Sequence, residues 1–148
     1  MKIGIYPGSF DPFHVGHNNI YEKSLKLFDK VCVARLVNPD KNKPIDLITN
    51  NYSITKISWL IISNNNLLQE IYNISYGKKI PISDIFVIRG FRNLDDIKYQ
   101  QEQDYWLKTL NKDFQTIYIE CDEQYKHISS TALKQLQGLN ISIKNYLC

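Results

Sequence analysis

Four short and nearly unbroken apolar runs constrain the fold of this chain more than any other feature. They cover residues 2–6, 31–37, 85–88 and 116–121, and they are rich in β-branched side chains. Continuous hydrophobicity over such lengths is typical of strands that are covered on both faces, as in a parallel sheet. The runs therefore predict a buried sheet rather than a half-exposed one.

Helical patterns separate these runs, over about residues 16–28, 94–110 and 130–136. Strands that alternate with helices indicate a doubly wound α/β fold, and a chain of 148 residues is most economically one domain, spanning 1–148. The stretch 50–73 is harder to read, because the apolar run 57–62 fits either a strand or a helix interior. Ligands of such sheets bind beyond the carboxyl ends of the strands, so the loops that leave the strands matter most.

Charge, hydrophobicity and cysteine content argue against three classes: nucleic-acid-binding, membrane and disulfide-rich proteins. The net charge of +3 is small and the Lys and Arg residues form no dense block, so no nucleic-acid partner is expected. The longest apolar stretch is too short to span a bilayer, which argues against a membrane protein. Cys32, Cys121 and Cys148 are odd in number and far apart, which fits a reducing cytoplasm rather than a disulfide framework.

The segment YPGSFDPFHVGH, residues 6–17, follows the first apolar run and leads into the first helical pattern. Gly8 and Gly16 allow the backbone to approach a ligand closely. His14 and His17 lie at the helix entrance, where backbone amides attract phosphate. An imidazolium that faces a polyphosphate would be a charged donor there, whereas the alternative is that one histidine only caps the helix or packs in the core.

This segment resembles a known signature. The run GSFDPFHVGH is similar to the (H/T)xGH motif of the nucleotidyltransferase superfamily, whose members attach a nucleotide monophosphate to a phosphate acceptor. The motif alone does not choose among acceptors.

The segment VIRGFRNLDDIKY, residues 87–99, carries Arg89 and Arg92 beyond a strand end. Each guanidinium can fork onto phosphate oxygens, which a lysine cannot do, although a solvated surface pair is the alternative. The pattern IRGxRxxxDxxY resembles the corresponding segment of phosphopantetheine adenylyltransferase, the enzyme family that makes dephospho-coenzyme A. The resemblance implies that Arg89 leans toward the phosphopantetheine phosphate and Arg92 toward ATP. Gln100 stands where the family usually has Glu.

Two further segments fit the same family. YKHISST, residues 125–131, resembles the ISS(T/S) motif that opens the last conserved helix, although taken alone it is only a helix cap. NPDKNKP, residues 38–44, resembles the NPxKxP segment, in which a lysine contacts the reacting phosphates. That lysine is Lys41, with Lys43 as the alternative. The family's charged LEER-like helix start is replaced here by LITNNYS, residues 47–53.

The resemblance implies a five-stranded parallel sheet in the order 3-2-1-4-5, in a single Rossmann-like nucleotidyltransferase domain. It also implies reversible adenylyl transfer from ATP to 4′-phosphopantetheine, with Mg²⁺ accompanying ATP, and a homo-oligomer, hexameric in the family. The implied catalytic residues are His17, Lys41 and Arg92. The implied acceptor-binding residues are Ser9, Lys41, Leu68 and Arg89. The implied ATP-binding residues are Ser9, Phe10, His14, His17, Gly90, Phe91, Arg92, Gln100, Tyr125, Lys126, His127, Ile128, Ser129, Ser130 and Thr131.

Two other functions stay open. An adenylyltransferase for another phosphate acceptor, such as nicotinamide mononucleotide, would share the first motif. A nucleotide-binding module that has lost catalysis would also keep it. A metal site built from His14, His17 and His127 is not predicted, because these histidines lack a Cys or carboxylate at suitable spacing.

Overall fold

A computed structural model describes residues 1–37, 57–63 and 66–148 of the chain. Strands and helices alternate along it, as the apolar runs predict. In chain order the strands and α-helices are β1 (Ile3–Gly8), α1 (Val15–Ser24), β2 (Lys30–Val37), β3 (Ser58–Ser63), α2 (Leu67–Lys78), β4 (Ile85–Phe91), α3 (Leu94–Leu110), β5 (Gln115–Glu120) and α4 (Ser130–Gly138). Short 3₁₀ turns lie at Ile82–Asp84, Glu123–Tyr125 and Lys144–Tyr146.

The five described strands form one sheet in the order β3-β2-β1-β4-β5, and every pairing in it is parallel. The expected fold class and strand order are confirmed. The ambiguous run 57–62 is a strand, because β3 pairs with β2 from Cys32↔Ser58 to Val37↔Ser63. Among the helices in the described part of the chain, none has the length and hydrophobicity that crossing a bilayer requires.

Helix α2 was missed by the sequence reading. Leu67, Ile71 and Ile74 recur at helical spacing and pack against one side of the sheet, and the Asn66 side chain caps the helix by accepting from the Gln69 amide at 3.1 Å. The neighbouring run 57–62 fits either a strand or a helix interior, so the sequence did not show that a new helix begins at Leu67.

Two predicted boundaries also shift. Helix α1 ends at Ser24 rather than near residue 28, and the Ser24 hydroxyl donates to the carbonyl of Ile20 at 2.7 Å. Strand β4 continues past residue 88 to Phe91, because Arg89 and Phe91 keep pairing with β5 although the apolar run has ended. Backbone pairing, which apolar patterning does not record, therefore sets the end of β4.

The sheet is covered on both faces, as the unbroken apolar runs predict. The core on the α1 face includes Tyr6, Phe13, Ile20, Val33 and Ile88. The core on the α2 face includes the following residues: Ile3, Ile5, Ile71, Ile85, Val87 and Phe114. Alternate residues of β1, β2, β3 and β4 serve opposite cores, as the pleat requires.

The pairing of β1 with β4 is short. It joins only Ile3↔Ile85, Gly4↔Phe86 and Ile5↔Val87, although β1 runs on to Gly8 and β4 to Phe91. The chain also reverses its direction of strand addition here, since β2 and β3 lie on one side of β1 while β4 and β5 lie on the other. A crevice at the carboxyl ends of β1 and β4 is the place where such sheets bind ligands.

Arg35 is an unexpected feature of β2. It lies beside Gly8 and Ile61 in the sheet and is only 6% exposed. Its Nη1 atom is buried and has no hydrogen-bond partner among the residues that the structure describes. A buried cation without a partner is costly, because the protein does not replace the hydration that is lost.

We predict that Arg35→Met stabilises the protein by about 1 to 3 kcal/mol, because it removes a desolvated charge and keeps a long apolar stem. The free energy of unfolding from urea titration measures the effect. Lys30→Met at the other end of β2 is the control and should change stability by less. A loss of stability in Arg35→Met would show that the guanidinium has a partner that offsets its burial.

Candidate active site

A cleft of about 280 Å³ opens where β1 and β4 separate. The loop after β1, the turn between β4 and α3, and the start of α4 supply its walls. Thirteen of the predicted site residues line it: Ser9, Phe10, His14, His17, Arg89, Gly90, Phe91, Arg92, Gln100, Tyr125, Ile128, Ser129 and Ser130. The three motif loops therefore converge at one place, as their positions after strands predict.

The loop after β1 folds back on its own strand. Phe10 has a left-handed backbone (φ 45°), and its ring lies so close to Gly8 that a Cβ there would approach it to 2.9 Å. The same ring meets Tyr6 and His17 edge-on, with centroid distances of 5.0 and 4.9 Å. Gly8 is therefore required by the packing of Phe10, which holds the His17 ring from one side.

His14 and His17 cap α1 reciprocally. The Nδ1 atom of His14 accepts from the amides of Gly16 at 3.1 Å and His17 at 3.4 Å, while His17 Nδ1 accepts from the His14 amide at 3.2 Å. The two rings stack with centroids 3.7 Å apart. Because each Nδ1 is an acceptor, each neutral ring carries its proton on Nε2. The pair therefore combines the capping role with a second nitrogen that can donate to a ligand.

The environment favours neutral rings. Burial and then the nearby Arg92 guanidinium lower the pKa of His14 to about 4. Burial, His14 and Arg92, in that order, lower the pKa of His17 well below its usual value. Without a polyphosphate, the neutral form of both rings is thus favoured, and the donors that the pair offers are neutral N–H groups. The imidazolium that the sequence suggests beside a polyphosphate stays a prediction.

Arg92 is held by Asp96, which is the Asp of the pattern IRGxRxxxDxxY but received no role in the sequence analysis. Its Nε donates to Asp96 Oδ2 at 3.2 Å, and its backbone amide donates to the same oxygen at 3.0 Å. Asp96 lies in the first turn of α3, where the Asn93 side chain accepts from its amide at 3.0 Å. An Asp four residues after an Arg, beside an Asn cap, is the signal that could have predicted this pairing.

Arg89 lies deeper in the structure. Its Nη2 donates to Asp104 Oδ1 at 3.1 Å, and the Tyr118 hydroxyl donates to Asp104 Oδ2 at 2.6 Å. Asp104 was also missed, because a polar residue in the middle of a helix usually faces solvent. Both arginines are thus partnered, and neither is the solvated surface residue of the alternative reading.

Gln100 reaches the cleft from α3. Its Nε2 donates to the Gly90 carbonyl at 3.3 Å, which fixes the orientation of the amide. Its Oε1 is buried and, in the described ranges, finds no donor. Buried acceptors are normally satisfied, so this oxygen is suited to a hydroxyl of a bound ligand.

The N-terminus of α4 has the geometry of an anion-binding site. The Ser129 side chain caps the helix by accepting from the Ala132 amide at 3.1 Å, and the Ser130 hydroxyl donates to the Pro12 carbonyl at 3.2 Å. The second bond ties this helix to the loop after β1. Backbone amides at such a helix start favour phosphate groups.

Not all predicted residues join the cleft. Lys126 pairs instead with Glu120 at 2.7 Å and Glu123 at 3.0 Å. His127 and Thr131 are exposed and do not line the described cleft, and Leu68 packs on the α2 face. Lys41 and Lys43 lie outside the described residues.

The described residues contain no group of three His, Cys, Asp or Glu side chains that could hold a metal ion. The cleft instead combines guanidinium groups, neutral imidazole donors and helix N-termini. These groups suit a polyphosphate, whose charge they stabilise without any covalent step.

Sequence comparisons place this chain among known proteins. A model of the cytidylyltransferase-like family matches residues 5–136. A phosphopantetheine adenylyltransferase from Clostridium perfringens is 31% identical, over 99% of this chain and 88% of the relative. Enzymes of the same name from Mycoplasma capricolum subsp. capricolum (33% identical, 93% of this chain and 97% of theirs) and Fusobacterium nucleatum (34%, 99% and 90%) are similar.

Solved structures share the fold at low sequence identity. A nicotinate-nucleotide adenylyltransferase candidate from Vibrio parahaemolyticus gives a TM-score of 0.64 at 19% identity, over 99% of this chain and 87% of that one. A bifunctional NMN adenylyltransferase/ADP ribose pyrophosphatase from Francisella tularensis gives 0.62 at 14% identity, over 99% of this chain and 45% of that one. Together with the relatives above 30% identity, the family match shows that the chain belongs to the cytidylyltransferase-like family of nucleotidyltransferases and, within it, to the phosphopantetheine adenylyltransferases.

Proposed function

We propose that this chain transfers the adenylyl group of ATP to 4′-phosphopantetheine and releases pyrophosphate and dephospho-coenzyme A. The observation that carries the proposal is the convergence of the stacked His14–His17 pair with Arg92 at the crevice between β1 and β4. The relatives that bear the name of this activity supply the acceptor.

ATP occupies the α1 side of the cleft in this proposal. The Nε2–H groups of His14 and His17, the Arg92 guanidinium and the start of α4 receive the polyphosphate. The free oxygen of Gln100 accepts from a ribose hydroxyl. His17 and Arg92, together with Lys41 from outside the described residues, act during transfer.

The transfer needs no protein nucleophile. A phosphate oxygen of the acceptor attacks the α-phosphorus of ATP, and the bond from that phosphorus to the bridging oxygen breaks. Pyrophosphate leaves with the electron pair. The fixed donors stabilise the charge that develops on the phosphoryl oxygens, which is the main way a protein accelerates such a step.

Mg²⁺ is proposed to enter with ATP. The described residues offer no three-ligand cluster, and the Asp96 carboxylate of the cleft is already engaged by Arg92. This donor set fits an ion held mainly by substrate phosphates and water, where it neutralises phosphate charge. The hexamer, the cytoplasmic location and the unity of residues 1–148 as one domain stay predictions.

The acceptor is tested by measuring pyrophosphate release from ATP with phosphopantetheine, nicotinamide mononucleotide or glycerol phosphate. We expect turnover with phosphopantetheine alone. Turnover with the mononucleotide instead would replace the acceptor, and binding of ATP without any turnover would favour a module that has lost catalysis.

We predict that His17→Ala lowers kcat about a hundredfold or more while changing the affinity for ATP much less. The variant removes one donor aimed at charge that develops in the transition state. Steady-state kinetics and ATP titration measure the two quantities. Glu22→Ala, an exposed change on the same helix, is the control.

Because His17 also caps α1, the unfolding midpoint of His17→Ala is recorded at the assay temperature. An undiminished kcat in folded His17→Ala would remove this residue from the proposed mechanism.

We predict that Arg89→Lys and Arg92→Lys affect different substrates. Arg89→Lys should raise KM for phosphopantetheine and Arg92→Lys should raise KM for ATP, each by about tenfold, because lysine keeps the charge but loses the planar fork. Two-substrate kinetics resolve both constants. Equal effects of both variants on both constants would contradict the division of roles.

We predict that Gln100→Glu shifts KM for ATP by less than about tenfold and leaves kcat nearly unchanged. The side chain keeps its length and an acceptor oxygen, although it loses the bond that Nε2 donates to the Gly90 carbonyl. Gln101→Glu, the exposed neighbour on α3, is the matched control for added charge. A collapse of kcat in Gln100→Glu alone would instead place residue 100 beside the reacting phosphorus.

A further inference from the structure

The most unusual group near the cleft is a buried carboxylate on α3. Of the seventeen residues of this helix, all of them described, Asp104 is the one that is buried, at 4% exposure. A buried ionised carboxylate is costly unless its oxygens are satisfied. Both oxygens of Asp104 are satisfied, by different residues: Arg89 on one and Tyr118 on the other.

Strand pairing brings the two donors together. Arg89 on β4 lies directly opposite Tyr118 on β5, so both side chains stand on the same face of the sheet. Ile85 and Val87 lie on the same face of β4 as Arg89, and both belong to the core on the α2 side. Asp104 then bridges the pair from the helix above them.

The sheet separates Arg89 from the histidine pair. Gly90, the next residue on β4, faces α1, since a Cβ there would approach Ile20 Cγ1 to 2.8 Å. Arg89 faces α3 and is held by Asp104, although it also lines the cleft. The ATP-side groups His14 and His17 therefore lie with α1, and Arg89 belongs to the other wall.

The contact with Asp104 also determines which N–H groups of Arg89 are engaged within the protein. One bond, from Nη2, goes to Asp104, while Nε is buried without a partner in the described part of the chain. The side chain of Arg89 is only 12% exposed, so without Asp104 it would be a nearly buried cation with nothing to balance it. Burial and the neighbouring carboxylate raise the pKa of Tyr118 above its usual value, which already leaves the hydroxyl protonated at neutral pH.

We propose that Asp104 and Tyr118 are positioning residues for the acceptor: they hold the Arg89 guanidinium in the orientation that receives the acceptor phosphate. This inference rests on the proposed function, because it takes Arg89 as the acceptor's anchor. It adds a carboxylate and a phenol that neither the motifs nor the names of the relatives assign to the site.

Helix α3 gains a second role from this arrangement. It holds Arg92 through Asp96 and Arg89 through Asp104, eight residues further along. Eight residues are about two turns, or about 12 Å of helix. The same rigid element therefore sets the separation between the ATP-side and acceptor-side guanidinium groups.

The test compares Asp104→Asn, Tyr118→Phe and Asp96→Asn in two-substrate kinetics with ATP and phosphopantetheine. We expect Asp104→Asn to raise KM for phosphopantetheine about tenfold and Tyr118→Phe about threefold, with KM for ATP within about twofold of the wild type. Asp96→Asn should show the reverse pattern. Asp122→Asn, which breaks the exposed pair with Lys23, controls for loss of an ion pair outside the cleft.

The same variants are titrated with phosphopantetheine in a calorimeter without ATP, and their urea unfolding is measured. If the wild type binds phosphopantetheine but releases no pyrophosphate, the proposed function fails while the titrations still decide the inference. Lower stability with unchanged acceptor KM and affinity would make Asp104 a merely structural residue and overturn the proposal. Tighter binding of phosphopantetheine to Asp104→Asn would show that the carboxylate competes with the acceptor, and would overturn it too.

Discussion

The early end of the pairing between β1 and β4 is the constraint on which the site depends. Only three residue pairs join these strands, and both strands then continue without pairing to one another. The backbone groups beyond Ile5 and Val87 on these facing edges are left free of a ladder, and the chain can place loops there instead of a sheet. Each motif loop leaves or approaches this opening, so topology gathers residues that are more than a hundred positions apart in sequence.

Much of the fold could be predicted because its signals are local and apolar. Unbroken runs such as 31–37 specify strands buried on both faces, and the alternation with helices specifies the class. Helix α2 was lost because its start adjoins a run that fits two structures. The ends of β4 and α1 were misjudged since they depend on strand pairing and on one hydroxyl, at Ser24, rather than on hydrophobicity.

The site residues also divide into those with a local sequence signal and those whose role depends on tertiary contacts. Residues inside recognisable motifs, such as His17 and Arg92, were found, and the described cleft contains them. The sequence predicted no role for Asp96, although it belongs to a motif, or for Asp104, because the partners of both are brought together only by folding. The lowered pKa of both histidines in the protein without ligand could not be predicted from sequence, since burial is a tertiary property. How Lys41 relates to the cleft lies outside the described residues.

The contact between Gly90 and Ile20 has a consequence for the chemistry of the cleft. The Ile20 side chain packs so closely on Gly90 that no Cβ fits there, so the helix that bears His17 lies against the strand that leads to the guanidiniums. Their separation is thus set by van der Waals contact, which salt does not screen and protonation does not alter. Ionic strength can weaken the attraction of this protein for a polyanion while the spacing of the groups that receive it stays the same.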